Sequence, residues 1–184
     1  MPATYTHHAF TLDVYKTLND DVKEKLALDI DTFNLFGKSF DALLFGDLKL
    51  GVYAHNNNVN LYFKNIIQYI RDNNLYDDTQ VLAYLYGSIC HYVLDSVAHP
   101  YIYYKSGKHD VNDKSTYKYK GKHDQIEFMI DAIIYQERND KPIYKVNVGK
   151  KVFTKIKFNS NLKNIIDYAY LNTFGVNNGY RVYN

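Results

Sequence analysis

Apolar residues recur at helical spacing along most of this chain, and VNLYFKNIIQYI, Val59 to Ile70, keeps the pattern most strictly. Positions three and four apart share one helix face, so such a stretch buries one side and solvates the other. The same period predicts helices over Thr11 to Leu18 and Asp20 to Phe33, joined by an Asn-Asp turn. A loop-like piece follows, FGKSFDALLFGDLKLG, punctuated by three glycines. The asparagines before Val59 suit the cap of its helix, and Asp77 or Asp78 the cap of a long one continuing through Val97. Pro100 is the expected limit of that helix, because the residue before a proline is pushed out of the α region. Residues 105–121 are polar and turn-rich, a surface loop. His123 to Arg138 returns to helical period, with Ile126, Met129, Ile130 and Ile133 on one side. Over 140–157 apolar and basic residues alternate around a glycine, which predicts a small β-hairpin or an extended excursion. Ser160 suits the cap of a last helix through about Thr173. The expected fold is all-α, a single-domain helical bundle over residues 1–184 with that one hairpin as an exception.

The longest of these helices breaks its own pattern. In GSICHYVLDSVAHPYIYY, residues 87–104, an apolar run is interrupted by His91, Asp95 and His99, each four residues after the last. Ionisable groups buried without partners are costly, and at about 100° per residue these three share an arc of roughly 80°. His123 and Glu127 repeat the spacing on another helix, with Asp131 one turn further. Imidazole and carboxylate at i and i+4 on one face is the geometry that grips a transition metal. A single pair of this kind is more often a helix-stabilising or satisfied buried pair than a ligand set; two rows, one with an added histidine, favour ligands. A mononuclear site takes three or four protein ligands. Five candidates stand on two helices before His7, His8, Asp41 and His55 are counted, so more than one metal is implied.

Composition narrows the class. The chain is 46% hydrophobic with 20 Tyr and 10 Phe, ample for a core, and its net charge of +2 lacks the basic excess of a non-specific nucleic-acid binder. One cysteine, Cys90, excludes an intrachain disulfide and suits a reducing compartment; it reads as a buried structural thiol. MPATYTHHAF has neither the charged nor the apolar region of a secretory signal, and no stretch approaches the ~18 uninterrupted apolar residues of a membrane span. A soluble, cytoplasmic protein is expected, although a secreted chain with its leader removed would read the same. His109 and Asp110 fall in the polar loop and read as solvated, and the lysines of 145–157 as a solvated strand face. Tyr101, Tyr103 and Tyr104 are either core-edge residues or a substrate-facing wall, and Asp131 is either a partner for a ligand imidazole or exposed.

THHAF, GKSFDALLF, YAHNNN, CHYVLDSVAHPY and KHDQIE stand in an order that resembles the zinc-dependent phospholipase C family, whose relatives include single-strand-specific zinc nucleases. These pieces run from residue 6 to 127; the last third of the chain adds helices but no motif. The resemblance implies an all-α fold with a cluster of three zinc ions between helices. It implies Asp41, His55, His91 and Asp95 at one zinc, and His99, His123 and Glu127 at a second. Asp95 would bridge to a third, held also by His7, with His8 its neighbour. In secreted members the amino terminus, often a tryptophan, completes that third site; this chain has no Trp and starts MPATYTHHAF, so two or three zinc ions are expected. The implied chemistry is cleavage of a phosphate ester by a metal-bound water, with Asp41 both ligand and the group that orients or deprotonates that water.

Near-neutral charge and abundant tyrosine suit a lipid–water boundary better than a polyanion groove. The expected substrate is therefore a lipid or small-molecule phosphate ester, a phospholipid headgroup first and nucleic acid second. Two other readings compete. His123-Asp124 in an all-α chain suggests an HD-type phosphohydrolase, which leaves the spacing of His91, Asp95 and His99 unexplained. A metal-stabilised binding or structural protein of the same fold would keep the cluster without turnover.

Overall fold

The computed structural model describes residues 4–183, and among them the chain forms ten α-helices, three short 3-10 turns and no strand. The helices are α1 Thr4–Thr17, α2 Asp20–Ala27, α3 Ile30–Phe36, α4 Asp41–Gly46 and α5 Leu48–Asn56, then α6 Val59–Asp72 and α7 Thr79–Ser106. After a 3-10 turn at Lys114–Tyr119 come α8 Lys122–Asn139, α9 Val148–Val152 and α10 Ser160–Phe174.

α7 is the axis on which α1, α2, α3, α8 and α10 pack. By length and composition alone it could cross a membrane, but here it is the central helix of the bundle. Asp78 starts it by accepting from the amides of Gln80 and Val81, as expected. Its end differs from expectation. Pro100 lies inside the helix and forfeits one backbone hydrogen bond, while buried Ile102 and Ser106 beyond it hold the last turns in place. The stop is Gly107, at φ 69°, whose amide donates to the Tyr103 carbonyl and against which the Tyr119 ring packs. At Gly87 an added Cβ would stand 2.6 Å from the Phe33 carbonyl oxygen, so this glycine lets α3 lie close against α7 one turn before His91.

Two further expectations are corrected. The loop-like FGKSFDALLFGDLKLG is largely helical: α3 ends in it, α4 follows, and Asp47 caps α5 by accepting from the Leu50 amide. The hairpin over 140–157 is absent; a 3-10 turn at Ile143–Lys145 and α9 take its place. Asn147 accepts from the Lys150 amide and starts that helix, and the alternating Ile143, Val146, Val148 and Val152 pack on Tyr5 and Tyr135 instead of building a ladder. Smaller shifts involve caps. Asn58 has φ 59° and makes no cap bond for α6, Asn159 rather than Ser160 caps α10, and Asp20 to Phe33 divides at Asp29 into α2 and α3.

The largest core lies where α6, α7 and α10 meet, around Tyr62, Ile66, Tyr84, Leu162, Ile166 and Tyr170. α8 reverses the ordinary polarity of a helix. Glu127, Asp131 and Tyr135 are its buried stripe, whereas Met129 and Ile133, expected on the inner side, are 62% and 55% exposed.

Candidate metal centre

Five helices each turn ionisable side chains toward one region. α1 supplies His7, α4 Asp41, α5 His55, α7 His91, Asp95 and His99, and α8 His123 and Glu127. Their ligand-type atoms fall into three groups, each within 4.8 Å: His7, His91 and Asp95; Asp41, His55 and His91; His99, His123 and Glu127. The eight side chains predicted from sequence are thus brought together, and His8 stands outside these groups, its ring centroid 6.2 Å from that of Tyr5.

Asp95 is the junction. Its Oδ1 lies 3.2 Å from His7 Nε2 and 3.9 Å from His99 Nε2, and its Oδ2 lies 3.3 Å from His91 Nε2. The His7 and His91 rings stack at 4.4 Å, so His91 belongs to two groups and Asp95 touches the third. On the outer side Glu127 Oε1 lies 2.8 Å from His123 Nε2 and 3.5 Å from His99 Nε2.

Several of these contacts are close without being directed hydrogen bonds. Both ring nitrogens of His7 and of His91, Asp41 Oδ2, Asp95 Oδ1 and His99 Nε2 are buried with no hydrogen-bond partner among the described residues. Unpaired buried polar atoms are rare and call for a cause. His55 shows the cause most clearly. Its Nδ1 donates to the Gly51 carbonyl at 2.7 Å, which leaves Nε2 facing Asp41 Oδ1 at 3.2 Å. In a neutral imidazole so tethered, Nε2 is a lone pair, and a lone pair facing a carboxylate calls for a positive charge between them. A proton or a divalent cation answers that demand, and the donor set of imidazoles and carboxylates is the one zinc accepts.

Electrostatics agree. Burial pushes Asp41 and Asp95 up, but the imidazoles gathered around them, His55 and His91 at Asp41 and His7 and His91 at Asp95, outweigh it and hold both below the ordinary carboxylate range. Glu127 is likewise lowered, burial being overcome by His123 and His99. Burial, helped by the neighbouring His7, brings His91 down to about 4, which keeps its imidazole neutral and its lone pair available.

Asp131 is neither a direct partner of a ligand imidazole nor exposed. It accepts from the Tyr5 amide at 2.9 Å and from the Thr6 amide and hydroxyl at 2.7 and 2.5 Å, so α8 caps the start of α1. That cap holds the backbone immediately before His7. Burial raises the Asp131 carboxyl against these bonds. Sequence reasoning passed over Lys38, which is fully buried, donates to the Asn34 carbonyl and lies 5.6 Å from the Phe153 ring. Burial lowers it to about 7 against the pull of Asp41; its place three residues before Asp41 in GKSFD was the only hint. Asp124 is exposed and outside all three groups, which removes the aspartate an HD-type site needs. Cys90 is buried, and burial pushes its thiol up to about 11. Tyr101, Tyr103 and Tyr104 are exposed rather than core-edge, and Tyr103 stands 4.8 Å from the His123 ring. His109 is half-buried beside Tyr117, and the lysines at 145, 155 and 157 are solvated without being on a strand. Residues 1–3, on which completion of a third site by the amino terminus turns, lie outside the described residues.

The centre is open on one side. A cavity of ≈ 150 Å³ is walled by His55, His91, Asp95 and His99 together with Phe40 and Tyr92, and a second of ≈ 170 Å³ reaches His55, His99, Tyr103 and His123.

The family model described as zinc dependent phospholipase C matches residues 5–174, and the chain belongs to that family. No curated protein and no solved structure matches the chain.

Proposed function

We propose that this protein is a zinc metallohydrolase that cleaves phosphate esters, with a phospholipid headgroup ester as its substrate. The observation that carries the reading is the convergence of eight ligand-type side chains whose buried lone pairs face one another beneath an open cavity. Structural zinc sites are closed by protein ligands, whereas hydrolytic ones keep a position open.

On this reading Asp41, His55, His91 and Asp95 would hold one ion and His99, His123 and Glu127 a second, while His7, whose Nε2 lies 3.2 Å from Asp95 Oδ1, would serve a third. Zinc bound there would supply Lewis-acid chemistry, neutralising phosphate charge and making a water nucleophilic near neutral pH. The residues have separate tasks. Gly51 fixes the His55 ring through Nδ1 and so aims Nε2 inward. Asp41, ionised at neutral pH, faces His55 Nε2 with Oδ1 and keeps Oδ2 without a hydrogen-bond partner among the described residues, so on this reading Oδ2 orients the attacking water and accepts its proton. Phe40 on the cavity wall restricts bulk water around the reacting groups.

Metal analysis after purification without chelator tests the premise, with two or three zinc ions per chain expected and fewer than two overturning it. Hydrolysis of a water-soluble phosphodiester tests the activity. If wild type and Asp41→Asn both stay at background with zinc bound, the protein is instead a metal-stabilised binding module.

A further inference from the structure

The outer face of α7 mirrors its inner one. His91, Asp95 and His99 occupy one arc, and Ile89, Val93, Val97, Tyr101 and Tyr104 occupy an arc centred about 180° away. All five are exposed, Val97 by 71% and Tyr104 by 81%. Between the two arcs stand Tyr92, Ser96 and Tyr103, which line the cavities of the metal centre. This exposed apolar stripe therefore borders the mouth of the site.

Charge is gathered at the end of the same stripe. Residues 101–122 contain six lysines against two aspartates, a net charge of +4, while the whole chain carries +2 and the remainder therefore −2. Lys105, Lys108, Lys114, Lys118, Lys120 and Lys122 are all exposed, and among the described residues none forms an ion pair. The two aspartates are occupied locally: Asp110 accepts from the Asn112 amide and Asp113 from the Ser115 amide, both at 2.9 Å. Contacts join this segment to the stripe and to the site. Lys105 lies 5.6 and 5.5 Å from the Tyr101 and Tyr104 rings, Tyr119 packs on Gly107 at the end of α7, and Lys122 precedes His123 and lies 5.7 Å from the Tyr119 ring.

From this juxtaposition we infer that α7's outer stripe and the 101–122 segment form a docking face for an anionic phospholipid surface, which holds the metal centre's mouth at the lipid headgroups. The inference rests on the phosphate-ester reading for its purpose but not for its physics. Exposed aliphatic and tyrosine side chains enter the boundary between headgroups and acyl chains, and lysines beside them reach anionic headgroups while their stems cover apolar surface. Exposed Val97 and Val111 favour lipid over single-stranded nucleic acid, which is gripped by stacking on aromatic faces.

Sedimentation of the zinc-loaded full chain with phosphatidylcholine vesicles, with and without ~30% phosphatidylserine, tests the face. The expected result is binding to the anionic vesicles, weakening as salt rises, with little on the neutral ones. Lys105→Glu, Lys108→Glu, Lys118→Glu and Lys120→Glu combined should lower affinity at least about 30-fold. The variant's turnover of a water-soluble phosphodiester should be unchanged. Equal partition onto both vesicles overturns the inference, as does a folded quadruple variant that binds like wild type. Preference for an oligothymidylate over vesicles, or dimer formation with vesicles ignored, overturns it too. If the quadruple variant does not fold, the two vesicle compositions and the salt titration decide on wild type alone. Vesicle binding without turnover of any ester supports this face and sinks the proposed function; turnover without vesicle preference does the reverse.

Discussion

α6 and α7 both bury a side chain every four residues, and what they bury is opposite in kind. α6 turns Tyr62, Ile66 and Ile70 inward against α10. α7 turns His91 and Asp95 inward at the same interval, and α8 follows it with Glu127 and Asp131. Helix geometry sets the interval in both cases. On the α6 side burial is favourable in itself, at roughly 25 cal/mol per Å² of apolar surface. On the α7–α8 side burial is a cost until the groups are paired or hold cations. One molecule therefore carries a half that stabilises itself and a half that depends on what it binds.

Chelation should separate the halves most sharply. With zinc present at about 1,000 times its Kd, binding contributes about 4 kcal/mol, so removing it should lower Tm by about 10 °C for a chain this long. Hydrogen exchange should place the loss in α1, α7 beyond His91 and α8, with α6 and α10 amides still protected; equal loss in both halves would dissolve the comparison. Asp41→Asn should retain the fold and cost about 10³-fold in kcat on a soluble phosphodiester, and activity within threefold of wild type would remove Asp41 from the chemistry. Ile66→Ala is the converse probe. It should destabilise by about 3 kcal/mol and leave the zinc content per chain unchanged.

The halves should also differ in their response to pH. In the α6–α7–α10 core the Tyr62 and Tyr84 hydroxyls lie 2.6 Å apart, and burial raises Tyr62 to about 12 and lifts Tyr84 and Tyr170 further. These groups stay neutral when folded and ionise near their ordinary value of 10.0 when unfolded. Their contribution is complete below pH 10 and lost as pH rises through the folded values. His91 acts at the other end. Unfolded, it takes a proton near 6.5; folded, only near 4, so stability falls as pH drops across that window, and Asp41 and Asp95 extend the loss below it. Proton competition for metal ligands has the same sign. Tm measured from pH 4 to 11 should fall at both ends, with added zinc moving only the acid limb. The smallest effect is expected at Met129→Gln, below about 0.5 kcal/mol, because that side chain is 62% exposed; a larger loss would mean that α8's outer face is covered by a partner.

The two ionisable rows were legible because a helix repeats every four residues and few reasons exist to bury imidazole and carboxylate together. The inward face of α8 was misread for the opposite reason. Ile126, Met129, Ile130 and Ile133 suggest an apolar inner face, but α7 and α1 present His99, His7 and the bare amides of Tyr5 and Thr6, so Glu127 and Asp131 turn inward. Local rules also misjudged Pro100 and the 140–157 stretch. Each rule was outweighed by packing that the rule does not contain: Ile102 and Ser106 beyond the proline, and the Tyr5–Tyr135 cluster beneath Val148 and Val152.

The sequence by itself determined the helical class, the face of α7 that carries ligands and the residue types able to hold zinc, because period and donor chemistry are local properties. Only the tertiary structure decided that His7, Asp41 and His55, far from α7 in the chain, meet His91 and Asp95. It alone decided that Gly51 aims His55, that Asp131 caps α1, and that α7's apolar outer stripe lies beside the mouth of the site. Those outcomes depend on which helices pack against which, and that is set by close approaches such as Gly87 on Phe33 and by contacts spread over the whole chain.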